Sequence, residues 1–138
     1  MHAERQTEFS IYLDQRPGEL AGVLGALAER GVQASSVSVA EHNSRGIVRL
    51  LSQDVEALRH VCEALVDSGV SPVVESDVVV VDMSERPNAL REIAMALAAA
   101  RVNISYAYLA QRGPGLGPRC ILRVSNIEAT INAIEPLP

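Results

Sequence analysis

An Arg-Pro pair occurs at Arg16-Pro17 and again at Arg86-Pro87, seventy positions further on. The surrounding segments are Arg16-Pro17-Gly18-Glu19-Leu20 and Arg86-Pro87-Asn88-Ala89-Leu90. The same offset carries Leu20, Ala26, Leu27, Ala28, Val32, Ser35 and Ala40 onto Leu90, Ala96, Leu97, Ala98, Val102, Ser105 and Ala110. Repetition at this length means two copies of one small domain rather than a solenoid. A repeat of about seventy residues is near the lower limit for an independent hydrophobic core, so each is expected to share an interface with the other or with a second chain.

Hydrophobic periodicity gives the repeat its elements. Phe9, Ile11 and Leu13 alternate with Ser10 and Tyr12, as in a strand with one buried face. After a turn at Gln15–Gly18, Leu20, Val23, Leu24 and Leu27 follow the spacing of an amphipathic helix, which Gly31 can stop. Val32–Glu41 reads as a strand whose apolar phase changes between Ala34 and Val37, which predicts a bulge. His42–Gly46 is turn chemistry leading into a strand at Ile47–Leu51. Asp54 can cap a helix carrying Val55, Leu58, Val61, Cys62 and Leu65. Residues 70–75 form a last strand, placed at a sheet edge by Pro72. The order is β-α-β-β-α-β.

Ser76-Asp77 is then the whole linker, and the second repeat opens on Val78-Val79-Val80-Val81. Its lack of alternation predicts a strand covered on both faces. A helix with Leu90, Ile93, Ala94 and Leu97 follows, then strands at Val102–Gln111 and Cys120–Val124. Asn126 caps a helix with Ile127, Ile131 and Ile134. The loop Arg112–Pro118 has three glycines and two prolines and reads as a flexible hairpin. It lacks a following Lys-Ser/Thr and joins two strands, so it is not a phosphate cradle. No fourth strand is evident in this repeat: a neighbour fills the slot, or the sheet edge stays open. The expected domains are 7–76 and 77–138.

Several function classes are excluded. A net charge of −5, with one Phe and three Tyr, argues against nucleic-acid partners. No apolar run approaches a membrane span, and residues 1–6 lack the apolar stretch of a signal peptide, so a cytoplasmic location is expected. Cys62 and Cys120 fall in apolar registers and read as buried free thiols; His2, His42 and His60 have no metal spacing. No nucleophile–base spacing or matched carboxylate pair suggests catalysis, and neither metal nor cofactor is called for.

The element order, the duplicated Arg-Pro turn, and Val32-Gln33 and Val102-Asn103 opening the next strand together resemble the ACT domain. The resemblance spans about Thr7 to Ile134. It implies an α/β (α+β) protein of two ferredoxin-like βαββαβ domains, with antiparallel sheets side by side and helices on one face. It also implies a regulatory protein that binds a free amino acid at ACT domain interfaces, forms a homodimer, and modulates a separately encoded amino-acid biosynthetic enzyme. A carboxylate would be met by backbone N–H groups of the helix entry, at Gly18, Glu19 and Leu20 after Pro17, or at Asn88, Ala89 and Leu90. The resemblance assigns the ammonium to Gln15 and Gln33 in the first repeat and to Glu85 and Asn103 in the second. Two alternatives remain open: an interaction module without ligand, and a small enzyme on the same fold.

Overall fold

The computed structural model describes residues 1–14, 16–69 and 71–138; Gln15 and Val70 lie outside the described residues. The elements are β1 (His2–Asp14), α1 (Glu19–Glu29), β2 (Ser36–His42), β3 (Arg45–Leu51), α2 (Val55–Asp67), β4 (Val73–Asp82), α3 (Ala89–Ala99), β5 (Ile104–Ala110), β6 (Arg119–Val124) and α4 (Ile127–Ile134). They form two compact units. The first is Thr7–Ser76; the second joins Met1–Gln6 to Asp77–Pro138.

In the first unit the strand order is β2-β3-β1-β4, the arrangement of a ferredoxin-like βαββαβ domain. β1 and β3 are antiparallel, with Phe9 opposite Leu50 and Ile11 opposite Val48. Cross-strand partners share a face, so Phe9, Ile11, Leu13, Val48 and Leu50 form one apolar surface. Val23 and Leu27 of α1 and Leu58, Val61, Cys62 and Leu65 of α2 close over it. Asp54 caps α2 by accepting from the Ala57 N–H at 3.0 Å. The β2–β3 hairpin turns through Asn43 and Ser44, both at positive φ (52° and 63°), as the twist of a two-residue hairpin requires.

β2 begins at Ser36, and its pairing with β3 is unbroken from Ser36↔Leu51 to His42↔Arg45. Just before this ladder the Ser35 N–H also reaches the Leu51 carbonyl, at 2.8 Å, so Ser35 and Ser36 both face Leu51, the two-against-one arrangement of the bulge expected between Ala34 and Val37. A register irregularity occurs at the equivalent place in β5, between Ile104 and Tyr106.

In the second unit the strand order is β1-β4-β6-β5. Here β1 contributes its first residues. Ala3 is 4% exposed and packs with Val79, Val81, Ile93, Leu122 and Ile134. Arg5 pairs with Asp77 at 3.2 Å and with Glu128 at 3.0 Å. The fourth-strand slot that the second repeat leaves open is thus filled from the start of the chain. β1 is accordingly much longer than the alternation of Phe9–Leu13 suggested. Ser76-Asp77, read as a linker, lies inside an unbroken β4. Val78, Val79, Val80 and Val81 are all 2% exposed or less, as expected of a strand covered on both faces.

Among the described residues no helix is long and apolar enough to cross a membrane.

Candidate functional site

Each unit passes from a strand into a helix through its Arg-Pro turn. In the first, Gly18 is the residue before α1 and takes φ 91°, a left-handed conformation that glycine adopts without strain. Among the described residues nothing lies within 4 Å of where a Cβ on Gly18 would stand, so they leave the mouth of the turn open. Pro17 precedes this residue and lies two positions before the first helical one, rather than opening the helix itself.

The backbone donors fall into two groups. The Glu19 N–H reaches the Arg16 carbonyl at 3.4 Å, a long bond, and the Gly22 N–H closes onto Gly18 at 2.9 Å. Leu20 and Ala21 sit between these, and among the described residues their N–H groups find no backbone acceptor. These are the orphan donors of a helix start. The Arg16 guanidinium holds Glu19 at 2.9 Å and Asp14 at 3.3 Å, which bridges the end of β1 to the first turn of α1.

The second turn differs in backbone angle and side-chain contacts but repeats the donor pattern, with the Leu90 and Arg91 N–H groups finding no backbone acceptor among the described residues. Asn88 replaces Gly18 and takes φ −100°, and its side chain caps nothing. The Ala89 N–H donates to the Arg86 carbonyl at 3.1 Å, and the Ala89 side chain is buried. Leu90 is 47% exposed. Arg86 pairs with Glu92 of α3. Glu85 is exposed.

The strand-start residues lie elsewhere. Gln33 follows α1, whose 11 residues span about 16 Å at 1.5 Å per residue, so it stands at the opposite end of the helix from Gly18. Asn103 stands likewise beyond the 11 residues of α3 from Asn88. Within one unit the structure brings together Pro17, Gly18, Glu19 and Leu20, or Asn88, Ala89 and Leu90, but neither set with its strand-start residue. Gln15 lies outside the described residues.

Gln33 does line a cleft of about 450 Å³, with Arg30, Ser35, Ser52, Gln53 and Asp54. The Ser52 hydroxyl donates to the Gln33 carbonyl at 2.8 Å and accepts from the Asp54 N–H at 3.2 Å, tying the start of the strand region to the cap of α2. In the second unit Ser125 also holds the strand-start residue, by different bonds: its hydroxyl accepts from the Asn103 N–H at 3.0 Å, and its own N–H donates to the Asn103 carbonyl at 3.0 Å. The sequence reading missed these serines. Each stands one or two residues before a capping residue, the only signal that could have shown them.

A second cleft, about 410 Å³, lies beside α2 and was not foreseen. Phe9, Arg59, Cys62, Val73 and Glu75 line it. The Arg59 guanidinium lies 5.7 Å from the centre of the Phe9 ring and bonds Glu75 at 2.8 Å; it also pairs with Glu56. The bond to Arg59 holds the Glu75 carboxyl below its ordinary range, and the two carboxylates raise the guanidinium's pKa. The cation is therefore committed to protein partners.

Burial pushes the Cys62 thiol up to about 11 from an ordinary value near 9, assisted by Glu75 and Glu63; burial alone does the same for Cys120. A raised thiol pKa adds stability that is complete below the unfolded value and is lost as pH climbs to the folded one. Stability should therefore fall between about pH 9 and 11, by roughly 2–3 kcal/mol per thiol. Two results are expected: native protein at neutral pH leaves a thiol-exchange reagent such as DTNB unconsumed until it unfolds, and the melting temperature drops above about pH 9, less so in Cys120→Ala. Rapid reaction of both thiols in folded protein would contradict this account.

The comparisons agree with the fold. Protein BT0572 from Bacteroides thetaiotaomicron is 27% identical, superposes with a TM-score of 0.82, and is matched over 97% of this chain and 89% of its own. The regulatory subunit of aspartate kinase from Thermus flavus is 17% identical, with a TM-score of 0.65 over 99% and 96% of the two chains. Escherichia coli aspartokinase III, crystallised in complex with lysine and aspartate, is 18% identical, with a TM-score of 0.51 over 97% of this chain and 31% of its own. No curated protein matches the sequence. A family model described as an ACT domain pair matches residues 5–134, and this chain belongs to that family.

Proposed function

We propose that this protein is a regulatory sensor of a free amino acid, and that the first Arg-Pro turn receives the ligand's carboxylate. One observation carries the reading: among the described residues, Leu20 and Ala21 present N–H groups without backbone partners at the positive end of α1, beside a Gly18 that nothing crowds. An anion there gains two donors and the helix dipole without displacing any existing backbone bond. The ammonium is then left to Gln15, which lies outside the described residues, and to acceptors from a neighbouring domain, because Gln33 stands at the far end of α1. An ACT site shared between domains supplies acceptors in that way, and a homodimer of this chain is one source of the second domain. The regulated partner is an amino-acid biosynthetic enzyme, consistent with the likeness to aspartate kinase regulatory subunits.

The test is calorimetric titration with each of the twenty amino acids, beginning with lysine and aspartate. Saturable heat is expected from at least one. Gly18→Val should abolish it, since a branched residue is strained at φ 91° and its side chain fills the mouth of the turn. Circular dichroism should show that the variant keeps its fold.

A second reading is favoured by the edge strand β2, where Val37 and Val39 are 45% and 55% exposed. An apolar edge with unpaired backbone groups suits an interaction module. No heat from any amino acid, together with concentration-dependent self-association, would favour that reading over the sensor.

A further inference from the structure

Between Glu19 and Glu29, α1 holds only Leu, Ala, Val and Gly. A helix that is apolar on every side is ordinarily covered on every side. Here Val23 and Leu27 are buried, but Leu24 is 40% exposed, and Ala21 and Ala28 are exposed with it. Positions 21, 24 and 28 lie on one side of a helix. Ala26, on the opposite flank from Leu24, packs into the core shared with α2, so the Leu24 flank looks away from α2. The other helices each show charge to solvent, at Glu56 of α2, Arg91 of α3 and Glu128 of α4.

The edge strand of the first unit has the same character. β2 is paired on one side only, with β3. Val37 lies opposite Leu50 and Val39 opposite Val48, so both valines stand on the sheet face that α1 and α2 cover. They are nonetheless exposed. α2 lies against β4, where Arg59 and Cys62 share a cleft with Val73, and α1 stands on the β2 side of that face. The uncovered flank of α1 and the two valines thus line the same edge.

Charge identifies the occupant. Arg30 follows α1 and lines a cleft with Ser35, just before β2. Glu41 stands near the other end of β2, on the same face as Val37 and Val39 by the alternation of a strand. Both residues are exposed, and among the described residues neither side chain has an ion-pair or hydrogen-bond partner. The edge therefore carries a cation at one end, an anion at the other and two valines between. Such a row is complementary to itself reversed.

We infer that this edge is an isologous interface with a second copy of the chain. β2 pairs antiparallel with the partner's β2 about a two-fold axis at Ser38. Val37 then faces the partner's Val39, Glu41 reaches the partner's Arg30, and the Leu24 flanks of the two α1 helices turn toward each other. The other edge, β5, exposes Ile104 and Leu109 but holds no charged residue to fix a register. The interface needs no ligand and stands or falls apart from the sensor reading.

Sedimentation of the full chain tests it. A dimer is expected. Arg30→Glu and Glu41→Arg should each raise its dissociation constant about tenfold, because each sets two like-charge contacts in the interface. Combining the two changes should restore it. Both residues are exposed, so the variants should keep the fold, which circular dichroism checks. Under mild oxidation Ser38→Cys should link the copies at the axis, whereas Ala40→Cys, displaced from it, should not; the native thiols are buried and stay silent. A monomer at every concentration up to about 1 mM would overturn the interface. So would a dimer or larger assembly indifferent to the charge changes, or one that links through Ala40→Cys as readily as through Ser38→Cys.

Discussion

Deleting residues 1–6 is expected to destabilise the second unit by about 3–5 kcal/mol, although these residues lie more than seventy positions from the rest of that unit. Ala3 is 4% exposed in a core with Val79, Val81 and Ile134, and Met1 packs against the same cluster. Removing the segment strips β4 of the partner that β1 provides there, uncovers that apolar surface, and breaks the pairs of Arg5 with Asp77 and Glu128. A domain of this size has only a few kcal/mol to lose. The loss corresponds to a fall in melting temperature of roughly 10–20 °C. Exchange should accelerate chiefly in β5, β6 and α4. A truncated chain that melts within a degree or two of the full one would show that the second repeat closes its sheet without the first residues.

Phe9→Ala is expected to cost about 3–5 kcal/mol, and to do so in the first unit. Phe9 is 1% exposed, sits opposite Leu50 in the β1–β3 ladder and packs among α1 and α2 side chains. Alanine leaves a cavity beneath α2, next to the existing 410 Å³ cleft, and takes away the ring under Arg59. Accelerated exchange is expected in β2, β3 and α2. Phe9→Leu keeps most of the volume and should recover most of the stability. The two core clusters share no residue, yet one strand feeds both: Ala3 belongs to one and Phe9, Ile11 and Leu13 to the other. Two changes on β1 should therefore give different exchange maps. If Phe9→Ala and the deletion produce the same map, the cores do not melt as the contact clusters imply.

Much of this protein was legible in local pattern. The alternation of Phe9, Ile11 and Leu13 and the 3.6-residue spacing of Leu58, Val61, Cys62 and Leu65 correspond to buried faces of a strand and a helix. Asp54 and Asn126 cap the helices that they announce. Cys62 and Cys120 are buried free thiols. Other readings failed where local pattern carries no information about partners. Residues 32–35 have strand-like composition, but β2 begins only at Ser36. Residues 2–6 have weak periodicity and nothing to mark them as a strand, because their partner β4 lies some seventy positions along the chain. The 112–118 loop has the composition of a flexible connector, but a guanidinium clasps it onto Met83.

The candidate site divides along the same line. The sequence by itself determined the duplicated Arg-Pro turn, the helix that follows it and the family to which the pair belongs, because helix entry is written in residues that are neighbours along the chain. Only the tertiary structure decided that the turn and its strand-start residue stand at opposite ends of a helix, that the first residues complete the second sheet, and that Arg112 ties the 112–118 loop to the end of β4. Each of those depends on which distant backbone groups meet, and hydrogen bonds between strands and across loops leave no periodic trace in the order of the side chains.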